Sequence, residues 1–149
     1  MSNKRKHIPC LITIFGATGD LSHRKLFPSL FHLYQQDNLD EHVAIIGIGR
    51  RDYSNEHFRN QVKSSIQAHV KDTKHLDQFM EHVFYFKHDV SEEQSYDDLL
   101  QFSNQLDSEF GLQGNRLFYL AMAPNFFGLV TDYLKSSGLT KTRGFKRLV

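Results

Sequence analysis

Three features that often indicate a protein's class are scarce in this sequence. Its 149 residues include a single cysteine, Cys10, so no disulfide can form within the chain, which is compatible with the reducing cytosol. The formal net charge is only +1, which argues neither for a nucleic-acid partner nor for an anionic membrane surface. The nine histidines are scattered without metal-ligand spacing, so we expect no metal site.

A long apolar run is also missing. The stretch from Ile8 to Ala17 follows a basic Lys-Arg-Lys triplet and so imitates the start of a signal peptide. It is too short to span a membrane, and a glycine turn with charged residues follows it at once. We therefore expect a soluble cytoplasmic protein with no membrane partner, in which Met1–His7 is a frayed tail.

The sequence contains a series of short apolar segments separated by amphipathic ones. The chain length of 149 residues is suited to one domain. Apolar segments that lack polar alternation are typical of parallel strands buried on both faces. The predicted strands are Cys10–Phe15, Val43–Gly49, Val83–His88, Leu117–Met122 and Lys146–Val149, the last cut off by the chain end. The predicted helices are Leu21–Gln36 closed by Asp37-Asn38, one capped by Ser54, a short one at Phe79-Met80, one opened by a capping box at Ser91 and reaching Phe110, and Phe126–Ser137. Pro28 predicts a kink or an irregular early turn in the first helix, because proline lacks an N–H.

The link between the first strand and the first helix is the most informative stretch. Gly16 allows a sharp bend, and Gly19 lacks the Cβ that would hold a pyrophosphate away from the backbone. The helix that follows offers unpaired N–H groups and a positive dipole end. We therefore predict an α/β, Rossmann-type doubly wound parallel sheet with right-handed crossovers. The candidate pyrophosphate residues are Gly16, Ala17, Thr18, Gly19, Asp20, Leu21 and Ser22.

The spacing of this turn departs from the usual G-x-G-x-x-G pattern. Ser22 stands where a third small residue should let the helix approach the strand. Two glycines alone fit an ordinary tight turn as well as a phosphate site.

The end of the second strand bears on the choice of dinucleotide. In an NAD-specific site that strand ends in Asp or Glu, which repels a 2′-phosphate. Here the chain has Arg50 and Arg51, and a guanidinium can bind a phosphate with two N–H donors and stack on adenine. We predict NADP as the cofactor, with Arg50 as its determinant and Arg51 as a helper. Asp52 could pair with either arginine and leave some affinity for NAD, and two solvated loop arginines are the alternative interpretation.

Four stretches resemble the glucose-6-phosphate dehydrogenase family in the same order along the chain. They are GATGDLSHRKLFPSL at 16–30, IGIGR at 46–50, NRLFYLAMAP at 115–124 and GFKRLV at 144–149. The resemblance implies oxidation of glucose 6-phosphate at C1 to 6-phospho-D-glucono-1,5-lactone, with hydride passed to NADP. That reaction is the first step of the oxidative pentose phosphate pathway.

Other strand ends supply further candidate residues. Asp89 and Val90 follow the third strand, where they suit an adenine contact, although Asp89 could equally be a plain loop carboxylate. The resemblance implies that Ala123 and Pro124 form a rigid wall beside the nicotinamide ribose. It leaves Lys25 as a source of positive potential near the substrate, and a helix-surface lysine is an equal alternative.

The resemblance also implies that residues 1–149 are an NADP-binding Rossmann domain incomplete at its C-terminus. The family's Glu-Lys-Pro-Phe-Gly motif, its catalytic His-Asp pair and its β+α substrate and dimerisation domain would follow Val149. We expect no catalytic residue in this chain, no turnover by it alone, and homo-oligomers only with the missing domain.

Two other hypotheses remain open at this point. An extended short-chain dehydrogenase or epimerase shares GATG turns but needs a Tyr-x-x-x-Lys pair, which the spacing from Tyr133 to Lys135 does not supply. The third hypothesis is a stand-alone module that binds NADP(H) without catalysis.

Overall fold

In the computed structural model, which describes residues 8–36 and 42–149, five strands form one parallel sheet between layers of helices. The strands are β1 (Cys10–Phe15), β2 (Val43–Gly49), β3 (Val83–Lys87), β4 (Arg116–Leu120) and β5 (Lys146–Leu148). The helices are α1 (Phe27–Gln35), α2 (Asn55–His69), α3 (Leu76–Met80), α4 (Glu93–Phe110) and α5 (Phe127–Ser136), with a π-helical turn at Ser22–Leu26 and a 3₁₀ turn at Pro124–Phe126. The predicted fold class is confirmed. The predicted tail Met1–His7 and the helix end at Asp37-Asn38 lie outside the described residues.

The strand order is β3-β2-β1-β4-β5, and all the pairings are parallel. The central strand β1 therefore has β2 on one side and β4 on the other. The order reverses at this point, and in open α/β sheets a crevice forms there, outside the carboxyl ends of the strands. The glycine turn that follows β1 lies at this crevice.

Strands β1 and β2 are buried on both faces of the sheet, which accounts for their apolar sequences. Ile12 and Ile14 of β1 belong to a cluster that includes Phe27 of α1 and Phe58 of α2. Leu11, Phe15 and their neighbours on the other face belong to a second cluster, formed with α4 and α5. Full burial of an aromatic or branched apolar side chain contributes about 1.5–3 kcal/mol. These two clusters hold the carboxyl ends of β1, β2 and β4 in fixed positions around the crevice.

The predicted irregularity at Pro28 is confirmed. A π-helical turn precedes α1, and Pro28 occupies one of the first two positions of that helix. Proline is tolerated there because the first N–H groups of a helix have no partner within it. The first helix after the glycine turn thus has two parts, of which the π-helical turn is the nearer to the crevice.

Two predicted helix starts had opposite outcomes. The cap at Ser54 is confirmed, because its hydroxyl accepts a hydrogen bond from the His57 amide at 3.0 Å. The capping box at Ser91 is wrong, since α4 begins at Glu93 without a side-chain cap. The Ser91 hydroxyl instead donates a charge-assisted hydrogen bond to Asp89 Oδ1 at 2.6 Å.

Candidate dinucleotide-binding cleft

A cleft of about 380 Å³ opens at the carboxyl ends of β1, β2, β3 and β4. The glycine turn forms one wall, and the ends of β2 and β3 form the other. The predicted site residues that line it are Gly16, Thr18, Gly19, Arg50, Arg51, Asp89 and Val90. The fold thus brings together residues from three separate stretches of the sequence.

Other predicted site residues lie around this cleft. Ala17 is buried beneath the turn, whereas Asp20 and Leu21 are exposed at the start of the helix. Ala123 and Pro124 are exposed directly after Ala121 and Met122, which line the cleft. Lys25 is exposed on the π-helical turn.

The glycine turn is tied closely to its neighbours. Gly16 has a φ of +85°, and a Cβ built on it would collide with the Ala121 carbonyl oxygen. The amides of Gly16 and Ala17 both donate to the Ile48 carbonyl, at 3.0 and 2.9 Å. A side chain at position 16 would therefore be strained and would push away the chain that follows β4. Glycine at position 16 is therefore required by the tight turn itself, where the Ala121 carbonyl occupies the space of a Cβ.

Ser22, in the third position of the motif, does more than provide a small side chain. Its side chain is fully buried, and its hydroxyl donates to the Gly16 carbonyl at 3.1 Å. The same carbonyl accepts the Gly19 amide at 3.1 Å. These two bonds tie the start of the helix to the turn. The helix N-terminus, with its unpaired N–H groups and positive partial charge, is thereby held at the rim of the cleft.

The two arginines after β2 are both exposed, but they have different surroundings. The Arg50 guanidinium lies with Nη2 3.9 Å from Asp89 Oδ2, and 79% of its side chain is exposed. The Arg51 carbonyl accepts a hydrogen bond from the Tyr85 hydroxyl at 2.6 Å, which fixes the backbone at this point. Within the two described ranges Asp52 forms no ion pair, so the hypothesis that it pairs with an arginine is wrong. Asp89, distant in sequence, takes that place because β2 and β3 are adjacent strands.

Gly49 keeps the end of β2 close to the glycine turn. A Cβ on Gly49 would lie 2.9 Å from both Thr18 Cγ2 and the Tyr85 hydroxyl oxygen. Both distances are too short for a nonbonded contact, so a larger residue at position 49 would displace the Thr18 or the Tyr85 side chain. Thr18 consequently lies beside the segment that carries Arg50.

Asp89 is held in one orientation by its own loop. Its Oδ1 accepts hydrogen bonds from the Ser91 hydroxyl at 2.6 Å and from the Ser91 amide at 2.9 Å. These bonds, aided by the positive charge of Arg50, lower the pKa of Asp89 below its ordinary value. The carboxylate is therefore ionised at neutral pH, with Oδ2 facing Arg50.

His88, which belongs to none of the sequence motifs, also lines the cleft. It is only 1% exposed, and in the described part of the chain neither ring nitrogen has a hydrogen-bond partner. The Ser95 backbone acts to raise the pKa of His88, but it does not meet the geometry of a hydrogen bond with the ring. Burial lowers the pKa of His88 to about 4, against the opposing effect of Asp89, so the ring is neutral at pH 7. No sequence pattern marks a buried histidine at a strand end.

Two further findings concern other kinds of site. In residues 8–36 and 42–149, no helix combines the length and apolar character needed to cross a membrane. Within those ranges no three His, Cys, Asp or Glu side chains come together as metal ligands.

The family model "Glucose-6-phosphate dehydrogenase, NAD binding domain" matches residues 13–149. The chain is 48% identical to glucose-6-phosphate 1-dehydrogenase of Bacillus subtilis (strain 168), over 93% of this chain and 28% of that protein. It is 43% identical to the Streptococcus pneumoniae enzyme of the same name, again over 93% of this chain and 28% of the relative. The chain thus spans less than a third of the length of these relatives.

Solved structures agree with the sequence comparisons. The fold matches a glucose-6-phosphate dehydrogenase in complex with its substrate glucose-6-phosphate, with a TM-score of 0.84 and 33% identity, over 99% of this chain and 31% of that one. It also matches the glucose-6-phosphate 1-dehydrogenase of Mycobacterium avium, with a TM-score of 0.75 and 25% identity, over 96% of this chain and 30% of that one. The chain therefore belongs to the glucose-6-phosphate dehydrogenase family, and the part of it at 13–149 matches the family's NAD binding domain.

Proposed function

We propose that this chain binds NADP and forms the coenzyme-binding part of a glucose-6-phosphate dehydrogenase. The observation that carries the proposal is the presence of two arginines, and of no acidic residue, directly after β2 at the edge of the cleft. NAD and NADP differ only by a 2′-phosphate on the adenosine ribose, and an acidic residue in this position would repel it. A guanidinium binds such a phosphate through parallel N–H donors.

Each group of candidate residues would bind a different part of the dinucleotide. Gly16 to Ser22 would hold the pyrophosphate, and Arg50 with Arg51 would hold the 2′-phosphate. Asp89 and Val90 would contact the adenine. Ala123 and Pro124 would lie beside the nicotinamide ribose. The positions of Gly16, Gly19, Arg50, Asp89 and Val90 around one cleft support this arrangement.

In the complete enzyme the proposed reaction is oxidation of D-glucose 6-phosphate to 6-phospho-D-glucono-1,5-lactone, the first step of the oxidative pentose phosphate pathway. The bound nicotinamide supplies the hydride acceptor. This chain's residues would bind the coenzyme and orient it, while the base that removes the C1 hydroxyl proton would come from outside residues 1–149. A solved relative that holds glucose-6-phosphate supports the substrate, and the exposed Lys25 would add positive potential near it.

The proposed setting follows from the same family. We propose a cytoplasmic enzyme that has neither a nucleic-acid nor a membrane partner. Its homo-oligomers would depend on the family's second domain.

The coenzyme proposal is tested by calorimetric titration of the chain with NADP and, separately, with NAD, after circular dichroism has shown that it is folded. We expect the Kd for NADP to be about tenfold or more below that for NAD, because only NADP gains a charge-assisted contact with an arginine. Equal dissociation constants for the two coenzymes would contradict the assignment of NADP.

The proposed reaction is tested separately with a chimera. Residues 1–149 would replace the matching segment of the Bacillus subtilis relative, and the chimera would be assayed for NADPH formation with glucose 6-phosphate. A folded chimera that binds NADP but forms no NADPH would contradict the proposed reaction, while the proposed coenzyme binding would stand.

A further inference from the structure

We propose that Asp89 sets the coenzyme preference of the cleft by acting as a counter-charge to Arg50. This inference rests on the proposed function, because it assumes that the 2′-phosphate of NADP binds at Arg50. It makes Asp89 a positioning and specificity-determining residue for the coenzyme.

The geometry of the pair is the starting point. Arg50 follows β2 and Asp89 follows β3, so the pair reaches across the ends of two adjacent strands at one side of the cleft. The Arg50 Nη2 atom is 3.9 Å from Asp89 Oδ2, at the outer limit of an ion pair. The contact is therefore weak enough for an incoming phosphate to replace it.

The carboxylate of this pair is fixed in advance. Ser91 donates two hydrogen bonds to Oδ1, from its amide and its hydroxyl, and this leaves Oδ2 directed toward the arginine. Only about a third of the Asp89 side chain is exposed, compared with 79% of the Arg50 side chain. Asp89 is thus the rigid partner, and the arginine is the one free to move.

The other nearby acidic residues are arranged differently. Asp20 is paired with Arg24 at 2.9 Å on the first helical turn. Asp52 is exposed and forms no ion pair with any described residue. Among residues 8–36 and 42–149, Asp89 is therefore the acid that contacts Arg50.

The consequence differs for the two coenzymes. A 2′-phosphate carries roughly −1.5 to −2 charges at pH 7, so NADP must displace Asp89 from Arg50 and then remain near a fixed carboxylate of like charge. NAD has a neutral 2′-hydroxyl, which leaves the ion pair intact and can donate a hydrogen bond to Oδ2. The acidic residue that NAD-specific sites place at the end of β2 is here supplied from the end of β3. Asp89 therefore reduces the ratio of NADP affinity to NAD affinity that Arg50 alone would give.

The test is the substitution Asp89→Asn, which removes the charge but keeps an oxygen that can accept the Ser91 bonds. We expect the Kd for NADP to fall about three- to tenfold and the Kd for NAD to stay the same or rise, as measured by calorimetry. The matched control is Asp52→Asn, which removes the same charge beside the arginines but breaks no ion pair, and we expect it to change either Kd less than about twofold. In an Arg50→Ala background, Asp89→Asn should lower the Kd for NADP by a smaller factor, because Asp89 then has no arginine from which NADP must displace it.

A second readout uses the unaltered protein. The carboxyl carbon of Asp89, followed by NMR, should show a pKa that rises when NADP binds, and that stays unchanged or falls when NAD binds, because the 2′-hydroxyl can donate to the carboxylate. An unchanged NADP Kd in Asp89→Asn, or an NMR titration that is the same with both coenzymes, would overturn the inference. If the wild-type chain does not prefer NADP at all, the proposed function fails instead.

Discussion

Replacing His88 with phenylalanine should flatten the pH dependence of the stability of this protein. The imidazole is 1% exposed and lies among aromatic rings, with the Tyr96 ring centroid 4.4 Å away in an edge-on arrangement. Its nitrogens have no hydrogen-bond partner in the described structure. Protonation of His88 would place an unpaired charge in this apolar site, so the folded state disfavours the protonated form.

The magnitude follows from the pKa of His88, which burial lowers from 6.5 to about 4. The folded state therefore binds this proton less readily than the unfolded state. Stability from this group is fully present above pH 6.5 and is lost as the pH falls toward 4. The loss is about 2 kcal/mol between pH 7 and pH 5, and about 3 kcal/mol by pH 4.

The assay is urea unfolding followed by far-UV circular dichroism, since the chain has no tryptophan. His88→Phe and the wild type are compared at pH 5, 6, 7 and 8. We expect the difference in the free energy of unfolding between the two proteins to move by about 2 kcal/mol in favour of the variant between pH 7 and pH 5. The difference should stay constant above pH 7, which serves as the internal control. A difference that is constant over the whole range would refute the account of His88 as a buried neutral histidine.

Two further predictions concern the glycine turn and the buried ion pair. Gly16→Ala should destabilise the fold by roughly 2 kcal/mol or more, because alanine is strained at a φ of +85° and its Cβ collides with a carbonyl just past β4. Gly128→Ala, in α5 with open space around it, should be neutral or stabilising by up to about 1 kcal/mol in the same urea assay, and an equal loss in both would contradict the argument. Asp107→Asn should cost about 2–4 kcal/mol, because Asp107 accepts a 2.6 Å hydrogen bond from Arg116, whose side chain is only 2% exposed. The exposed control Asp77→Asn should change the free energy of unfolding by less than about 1 kcal/mol.

Much of the fold could be predicted because the relevant signals are local. Strands β1 and β2 are buried on both faces, and their sequences are correspondingly apolar throughout. Pro28 predicted an irregular turn because its missing N–H acts within one turn of helix. The glycine turn was found for the same reason, since Gly16 and Gly19 meet a requirement of the backbone itself.

What was missed depends on contacts between distant segments. The sequence around Ser91 matches a capping box, but the Ser91 hydroxyl donates its hydrogen bond to the Asp89 carboxylate, because the loop brings the two side chains together. Asp52 lies only two residues from Arg50 in the sequence, whereas Asp89 is its partner in space through the pairing of β2 with β3. The burial of His88 is likewise set by the packing of α4 and leaves no trace in the local sequence.

The central claim is that Arg50 binds the 2′-phosphate of NADP, and the most direct test is the ratio of the NADP and NAD dissociation constants in Arg50→Ala. Loss of a charge-assisted contact of about 1.5–3 kcal/mol should raise the Kd for NADP by roughly 10- to 100-fold. The Kd for NAD should change less than about threefold, and the control Arg143→Ala, an exposed arginine in the loop before β5, should alter neither. A parallel loss of affinity for both coenzymes, or no loss for either, would contradict the assignment.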